Sequence, residues 1–474
     1  MFSAILAILL IVLGPTKAFL VTSQRLSDIG LGDVPEHVID SGVLNDPVVF
    51  GYTYESGVGA DKIDLGALTH LVLAFFQVDA LGNVNIKDNN IQNLIHEAHK
   101  RNVKVIASIG GDGDGSKSLS MALEANTTRY NLAASLVSII KRFDMDGADY
   151  DLEFPENAQQ LDSLYAGLKA MRAALNSAFG NHAKTLTMTL YSSKGQFGPE
   201  LESANNTRVF SDLVDYGLLM SYDYFGGFSK TSAPNSPFYD IPEHPGLSFT
   251  SSINAWLRAG WDAKKLVAGL PYYGRTAIVE TSASPRSQFM SVVGSAPPGG
   301  PISKIPGAWT WNDLRDPENG ALSSATKPRN GWQRFWDNTT LTPWLLHNSS
   351  QTYIGYDDPD SLTIKASYII NSGLVGAMVW MTQYDFANEL SAVMRNYSTA
   401  CRRISALANS LDETALFNTN LSIDIENSEG DRTSEFDYTQ HIETSTATTK
   451  DTQSIWLMRL LSVAFLRITM FLLN

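Results

Sequence analysis

The chain has 474 residues, 44% of them apolar, a net charge of −14 and one cysteine. That is enough apolar material for one large domain or two smaller ones. The acidic balance, with no basic patch or run, excludes a nucleic-acid partner, and the lone Cys401 excludes an internal disulfide.

Ala4 to Leu13 form an apolar run followed by Gly14, Pro15 and the small Ala18, which reads as a secretory signal over residues 1–18. Six N-x-S/T sequons, at Asn126, Asn205, Asn338, Asn348, Asn396 and Asn420, are N-glycosylation acceptors in a secreted chain. Pro47 to Tyr52 (PVVFGY), Leu68 to Phe76 (LTHLVLAFF) and Val103 to Ser108 (VKVIAS) predict three buried strands. A helix over Asn90 to Lys100 separates the second from the third, and another follows over Tyr130 to Phe143.

The next stretch, Phe143 to Glu156, reads FDMDGADYDLEFPE. Asp149, Asp151 and Glu153 alternate with Tyr150 and Leu152, so on a fourth strand the three carboxylates share one face, about 7 Å apart. Acids held that close repel, and at least one pKa must rise. A carboxyl still protonated near neutral pH is what a general acid needs. The alternative is a solvated acidic strand face; it is disfavoured because acidic residues are depleted in strands and the flanks here are apolar.

Leu161, Leu164, Leu168, Met171, Leu175 and Phe179 stripe a long helix from Ala158 to Phe179, closed by Gly180-Asn181. Thr185 to Tyr191, Tyr216 to Tyr222, Leu266 to Leu270 and Val375 to Trp380 predict the fifth to eighth strands. Helices are expected over Ser251 to Ala259 and about Ala387 to Ala408, the latter holding Cys401 as a packed thiol. Eight βα units predict an α/β fold, a closed (β/α)8 TIM barrel over residues 40–408, with an open doubly wound sheet as the alternative. The barrel is favoured because chemically active residues recur at the C-terminal ends of several strands, which converge on one mouth only in a closed ring.

Between Arg275 and Tyr353 lie nearly eighty residues rich in Pro, Gly, Ser and Trp, too many for a structureless loop. An insertion is expected over about 276–352, trimmed or partly disordered in its first half (SAPPGGPISKIPGA), where strand pattern is poor. No His or Cys cluster has metal-ligand spacing, so neither a metal nor a cofactor is expected. Residues 409–454 shift to Asp, Glu, Ser, Thr and Asn and predict an acidic stalk without a core.

Residues 455–474 form an apolar tail long enough to reach across a bilayer. Its Leu, Ile, Val and Phe residues favour insertion by about 5 kcal/mol, while Arg459 and Arg467 oppose it by up to about 3 kcal/mol each. The balance is near zero. Small residues at Ser445-Thr446-Ala447 and a polar spacer to Ser454 make a glycolipid-attachment signal the first choice and a retained span the second. An interfacial helix and a helix packed on the barrel are further alternatives. Membrane attachment at the cell surface is the expectation.

The string DGADYDLE resembles the DGxDxDxE signature of family 18 glycoside hydrolases, the chitinase family. The likeness runs from Val48 to about Leu390 and rests on further motifs. Ala107 to Gly111 matches the SxGG of the third strand, and Met220 to Asp223 the MxYD of the sixth. LVAGLPYYGR (Leu266 to Arg275) resembles the seventh strand with its YGR, and GAMVW (Gly376 to Trp380) the eighth with its tryptophan. YDDPDSLTIKASYI (Tyr356 to Ile369) resembles the helix leading into the eighth strand, and the insertion resembles the small α+β domain many members carry after the seventh.

The resemblance implies substrate-assisted, retaining cleavage of β-1,4 bonds between N-acetylglucosamine units. It implies that Glu153 protonates the leaving oxygen, that Asp151 stabilises the acetamido group as it attacks, and that Asp149 tunes Asp151 from behind. Tyr222 would donate to the acetamido oxygen, and Trp380 would floor the −1 sugar. Asp223 and Arg275 would bond sugar hydroxyls, Met220 would pack on the acids, and Tyr52 and Phe75 would line the cleft. Gly110-Gly111 would give backbone room beside the acids. Asp112 stands where many members have Trp after the SxGG, which implies a missing stacking platform. A monomeric endo-acting chitinase on chitin and chitin oligosaccharides is expected. One rival is an endo-β-N-acetylglucosaminidase on N-glycans, disfavoured by the YGR, the insertion and the YDD helix. The other is a non-catalytic chitin-binding lectin, disfavoured by the acid at Glu153.

Overall fold

A computed structural model describes residues 47–55, 59–86, 91–192, 207–280, 287–294 and 299–410, with the backbone of two short paired strands, Ala18–Leu20 and Val38–Asp40. Strands β1 (Val48–Tyr54), β2 (His70–Val78), β3 (Lys104–Gly110), β4 (Gly147–Asp151), β5 (Thr185–Leu190), β6 (Tyr216–Leu219) and β7 (Leu266–Pro271) pair in parallel, each with the next. The chain then leaves the ring for β8 (Tyr273–Ile278), β9 (Ala308–Thr310), β10 (Trp332–Asp337), β11 (Thr342–His347) and β12 (Thr352–Gly355). These make an antiparallel five-stranded sheet in the order β9-β8-β12-β11-β10. It returns as β13 (Gly376–Trp380), which lies parallel between β7 and β1 and closes an eight-stranded barrel. The open-sheet alternative is thereby excluded.

Helices α1 (Ile91–His99), α2 (Asp114–Glu124), α3 (Asn126–Phe143), α4 (Ala158–Phe179), α5 (Arg208–Leu213) and α6 (Phe249–Arg258) lie between successive barrel strands. The short α7 (Trp311–Arg315) belongs to the insertion, α8 (Pro359–Asn371) leads into β13, and α9 (Glu389–Ser410) follows it. The stripe expected on α4 is its packed face, with Leu164, Leu168, Met171 and Leu175 buried. The Asn157 side chain caps its start by accepting the Gln160 N–H.

Period-two alternation sorts the strand residues. Val49, Leu71, Val105, Ala148, Leu186, Ala268 and Ala377 pack outward in the large core shared with the helices. Phe50, Val72, Ile106, Leu218, Val267 and Met378 form a separate cluster inside the ring. Among the described residues β4 and β5 give nothing to that inner cluster. Their inward positions are instead Asp149, Asp151, Thr187 and Thr189, all buried. One sector of the barrel interior is therefore strongly polar, and that sector fixes where the chemistry sits.

Several boundaries differ from expectation. The acidic strand ends at Asp151, so Glu153 lies in the turn beyond it rather than on the strand. The sixth strand ends at Leu219, leaving Met220, Tyr222 and Asp223 past its end. Helix α2 was not expected, because glycines at 113 and 115 disfavour helix. The Ser- and Gly-rich first half of the insertion ends in β9, three residues whose pattern is too short to read. Residues 281–286 and 295–298 of the insertion lie outside the described residues, as do residues 1–17 of the leader and 411–474, nearly all of the stalk and the whole tail. Among the described residues no helix is long and apolar enough to span a bilayer.

Candidate active site

The polar sector is built by register. Strand pairing sets Asp149 opposite Ser108 on β3 and Thr187 on β5. Asp149 is fully buried and accepts three hydroxyls, from Tyr52 at 2.8 Å and Ser108 at 2.7 Å on one oxygen and from Thr187 at 2.6 Å on the other. Burial raises its pKa despite those three donors. Two residues on, Asp151 accepts the Thr189 hydroxyl at 2.6 Å. Burial lifts its pKa well above the ordinary carboxylate range, and the charges of Glu153 and Asp149 add to the rise.

Glu153 follows where the strand has stopped. Its N–H donates to Ser116 Oγ at 2.6 Å, and that hydroxyl donates to the Asp151 carbonyl at 3.3 Å. The first turn of α2 thus holds the backbone on both sides of Leu152. Burial pushes the Glu153 carboxyl up to about 7, helped by the negative charges of Asp112 and Asp223. Gly110 makes the approach of β3 to this backbone feasible. It sits at φ 103°, and a Cβ there would collide with the Asp151 carbonyl oxygen.

Trp380, at the end of β13, is partly buried among aromatics. Its ring stacks on Phe75 with centroids 5.8 Å apart and meets Tyr52 at 5.3 Å. Gly111 leaves space for the Phe75 ring, which a Cβ would enter. The peptide bonds after Ala74, Glu153 and Trp380 are cis.

On the far side, the Tyr222 hydroxyl touches Met378 Sδ at 3.7 Å, and its charged neighbours Asp151, Asp223 and Glu153 reinforce a burial that keeps the phenol protonated. Met220 packs partly buried on the inner barrel cluster that contains Tyr222. Asp223 and Arg275, both predicted to meet sugar, pair with each other through two bonds of 2.6 Å. Tyr273 adds a third donor to Asp223 at 2.6 Å.

The expected residues thus gather around one mouth, from the ends of β1, β2, β4, β6, β8 and β13. Sequence reading passed over Thr187 and Thr189, although their alternate spacing in TLTMTL marks one face of the strand beside the acids. It also passed over Ser116, which reaches the site from the first turn of α2, and gave Tyr273 no role beyond its place in the YGR. Asp112, where a tryptophan is common, is exposed.

Residues 48–385 match the sequence pattern of Glycosyl hydrolases family 18. The chain belongs to that family. An endochitinase of Manduca sexta is 26% identical over 356 residues, which cover 70% of this chain and 62% of that protein. Chitinase A1 of Niallia circulans is 30% identical over 305 residues, 59% of this chain and 40% of that one. The chain therefore spans less than two thirds of the length of these relatives. A chitinase structure from Rhizomucor miehei superposes with a TM-score of 0.64 at 24% identity, covering 74% of this chain and 99% of that one, a likeness of fold. The family 18 signature corresponds here to β4 and the turn that ends at Glu153.

Proposed function

We propose that the protein is an endo-acting chitinase that cleaves β-1,4 bonds between N-acetylglucosamine units with retention of configuration. The observation that carries the reading is the placing of Glu153 just past the end of β4, after the buried Asp149 and Asp151 and near the buried Tyr222; burial there pushes its carboxyl up to about 7. Glu153 gives its proton to the glycosidic oxygen, and the bond to C1 breaks. The carbonyl oxygen of the −1 sugar's acetamido group attacks C1, and the positive charge spreads over an oxazolinium ring. Asp151 accepts the acetamido N–H and stabilises that charge. Tyr222 donates its hydroxyl to the acetamido oxygen and aims it at C1. The aglycone leaves with the proton, and ionised Glu153 then takes a proton from the water that opens the ring.

Asp149 acts on Asp151 from behind, with its own donors from Tyr52, Ser108 and Thr187. Trp380 supplies an apolar floor, and Phe75 backs it. Arg275 retains N–H groups beyond the two spent on Asp223, and these are available to sugar hydroxyls. Secretion and attachment to the cell surface belong to the same proposal and rest on the sequence of residues 1–18 and 409–474.

Product analysis tests the substrate class. Chitotetraose should be cleaved to shorter N-acetylglucosamine oligomers, while a high-mannose glycopeptide should be left intact. Cleavage of the glycopeptide alone would make the protein an endo-β-N-acetylglucosaminidase. Tight binding of chitotetraose without turnover would make it a lectin.

A further inference from the structure

The Ser221 hydroxyl ties the turn that carries Tyr222 and Asp223 to Gly269 of β7. A buried network that begins on α8 holds the same turn from its other side. Lys365 and Asp357 are fully shielded from solvent, and Lys365 Nζ lies 2.8 Å from each Asp357 oxygen. The same ammonium donates to the Ser236 carbonyl at 2.7 Å and the Ser236 hydroxyl at 2.8 Å. Because Lys365 can only donate, the single hydroxyl hydrogen of Ser236 is left for another acceptor. That acceptor is the Ser221 carbonyl, at 2.7 Å, the residue before Tyr222.

The neighbouring Asn235 continues the grip. Its side-chain oxygen accepts the Asp223 N–H at 3.0 Å, and its amide donates to the Tyr273 carbonyl at 3.1 Å. Its backbone carbonyl accepts the Tyr224 N–H at 3.1 Å. Asp223 sits at φ 61°, a left-handed conformation that costs a non-glycine residue some strain, less for Asp than for most. A buried ion pair adds little stability over an apolar pair of equal volume. This one instead fixes the direction of every hydrogen in the relay.

We propose that Lys365, acting through Ser236, is a positioning residue for Tyr222 and Asp223. Its catalytic consequence rests on the proposed role of Tyr222, whereas the geometry itself does not depend on any substrate. Two variants test it. Ser236→Ala removes the relay and keeps the ion pair. Lys365→Met combined with Asp357→Leu removes the pair without leaving a lone buried charge. Each is made with 3-fluorotyrosine incorporated in place of Tyr222, and its fluorine resonance is read beside kcat and KM on chitotetraose and the melting curve.

Both variants should melt cooperatively, and the fluorine line should shift or broaden. A displaced catalytic group should lower kcat about tenfold or more, with KM moving less than about threefold. An unshifted line and unchanged kcat in a folded variant would overturn the proposal. So would failure of both variants to fold, which would make the network merely structural. If the unsubstituted protein turns over no chitotetraose, the proposed function fails, and the fluorine line alone still decides the positioning claim.

Discussion

Glu153 has its carboxyl raised from the ordinary 4.5 to about 7 by burial and by the charges of Asp112 and Asp223. As a general acid it must be protonated when substrate binds, so kcat/KM should fall about tenfold per pH unit above roughly pH 7. Replacing Asp112 with Asn removes one of those charges and should move the limb to lower pH. A limb that stays in place would show that burial alone sets it. The same shift bears on stability. The folded chain holds this proton more tightly than the unfolded one, so the contribution is fully present below pH 4.5 and lost as pH rises through 7. Glu153→Gln carries no charge to bury. It should melt higher than the parent at about pH 8, by at most ~3 kcal/mol, and show no gain at about pH 4. Thermal melts at the two pH values check the sign. The alternation of acids was legible in the sequence, and so was the need for one of them to stay protonated. The hydroxyls that hold Asp149 and Asp151 were not, because they come from strands far away in sequence and only register brings them there.

At the scale of elements, β3 and β4 approach through Gly110, whose φ of 103° and missing Cβ let the Asp151 carbonyl come close. Gly110→Ala should therefore destabilise the protein by about 1–3 kcal/mol from strain, with more from overpacking. It should also lower activity in the folded fraction, because the displaced carbonyl belongs to one of the acids. Denaturant unfolding beside a rate measurement separates the two effects, and a neutral result would refute the account of this contact. The strands and α4 were readable because buried strands are continuous apolar runs and α4 has a full stripe. The ends of β4 and β6 were not. In both, the alternating pattern continues past the last paired residue into the turn that carries Glu153 or Tyr222. Pattern records which way a side chain points and is silent on whether the backbone still has a partner.

For the whole molecule, a closed barrel with an antiparallel sheet between β7 and β13 brings residues from Tyr52 to Trp380 to one mouth. The four described sequon asparagines, Asn126, Asn338, Asn348 and Asn396, are all exposed, whereas Asn205 and Asn420 lie outside the described residues. The barrel was legible from the count and spacing of strands. The insertion sheet was less so, because β9 and β12 are only three and four residues long. Surface attachment through the apolar tail predicts that phosphatidylinositol-specific phospholipase C releases the enzyme from intact cells if the anchor is a glycolipid. Activity found wholly in the medium, with the tail still present by mass spectrometry, would contradict attachment in either form.

Substrate-assisted cleavage of chitin by this protein depends on Glu153 to supply the proton. The most direct test is the hydrolysis rate of chitotetraose by the parent enzyme and by Glu153→Gln, with the fold of the variant verified by its melting curve. General acid catalysis is worth roughly 10²–10⁴-fold, so the variant should keep less than about 1% of the parental rate. A folded Glu153→Gln enzyme that retains more than that would contradict the assignment.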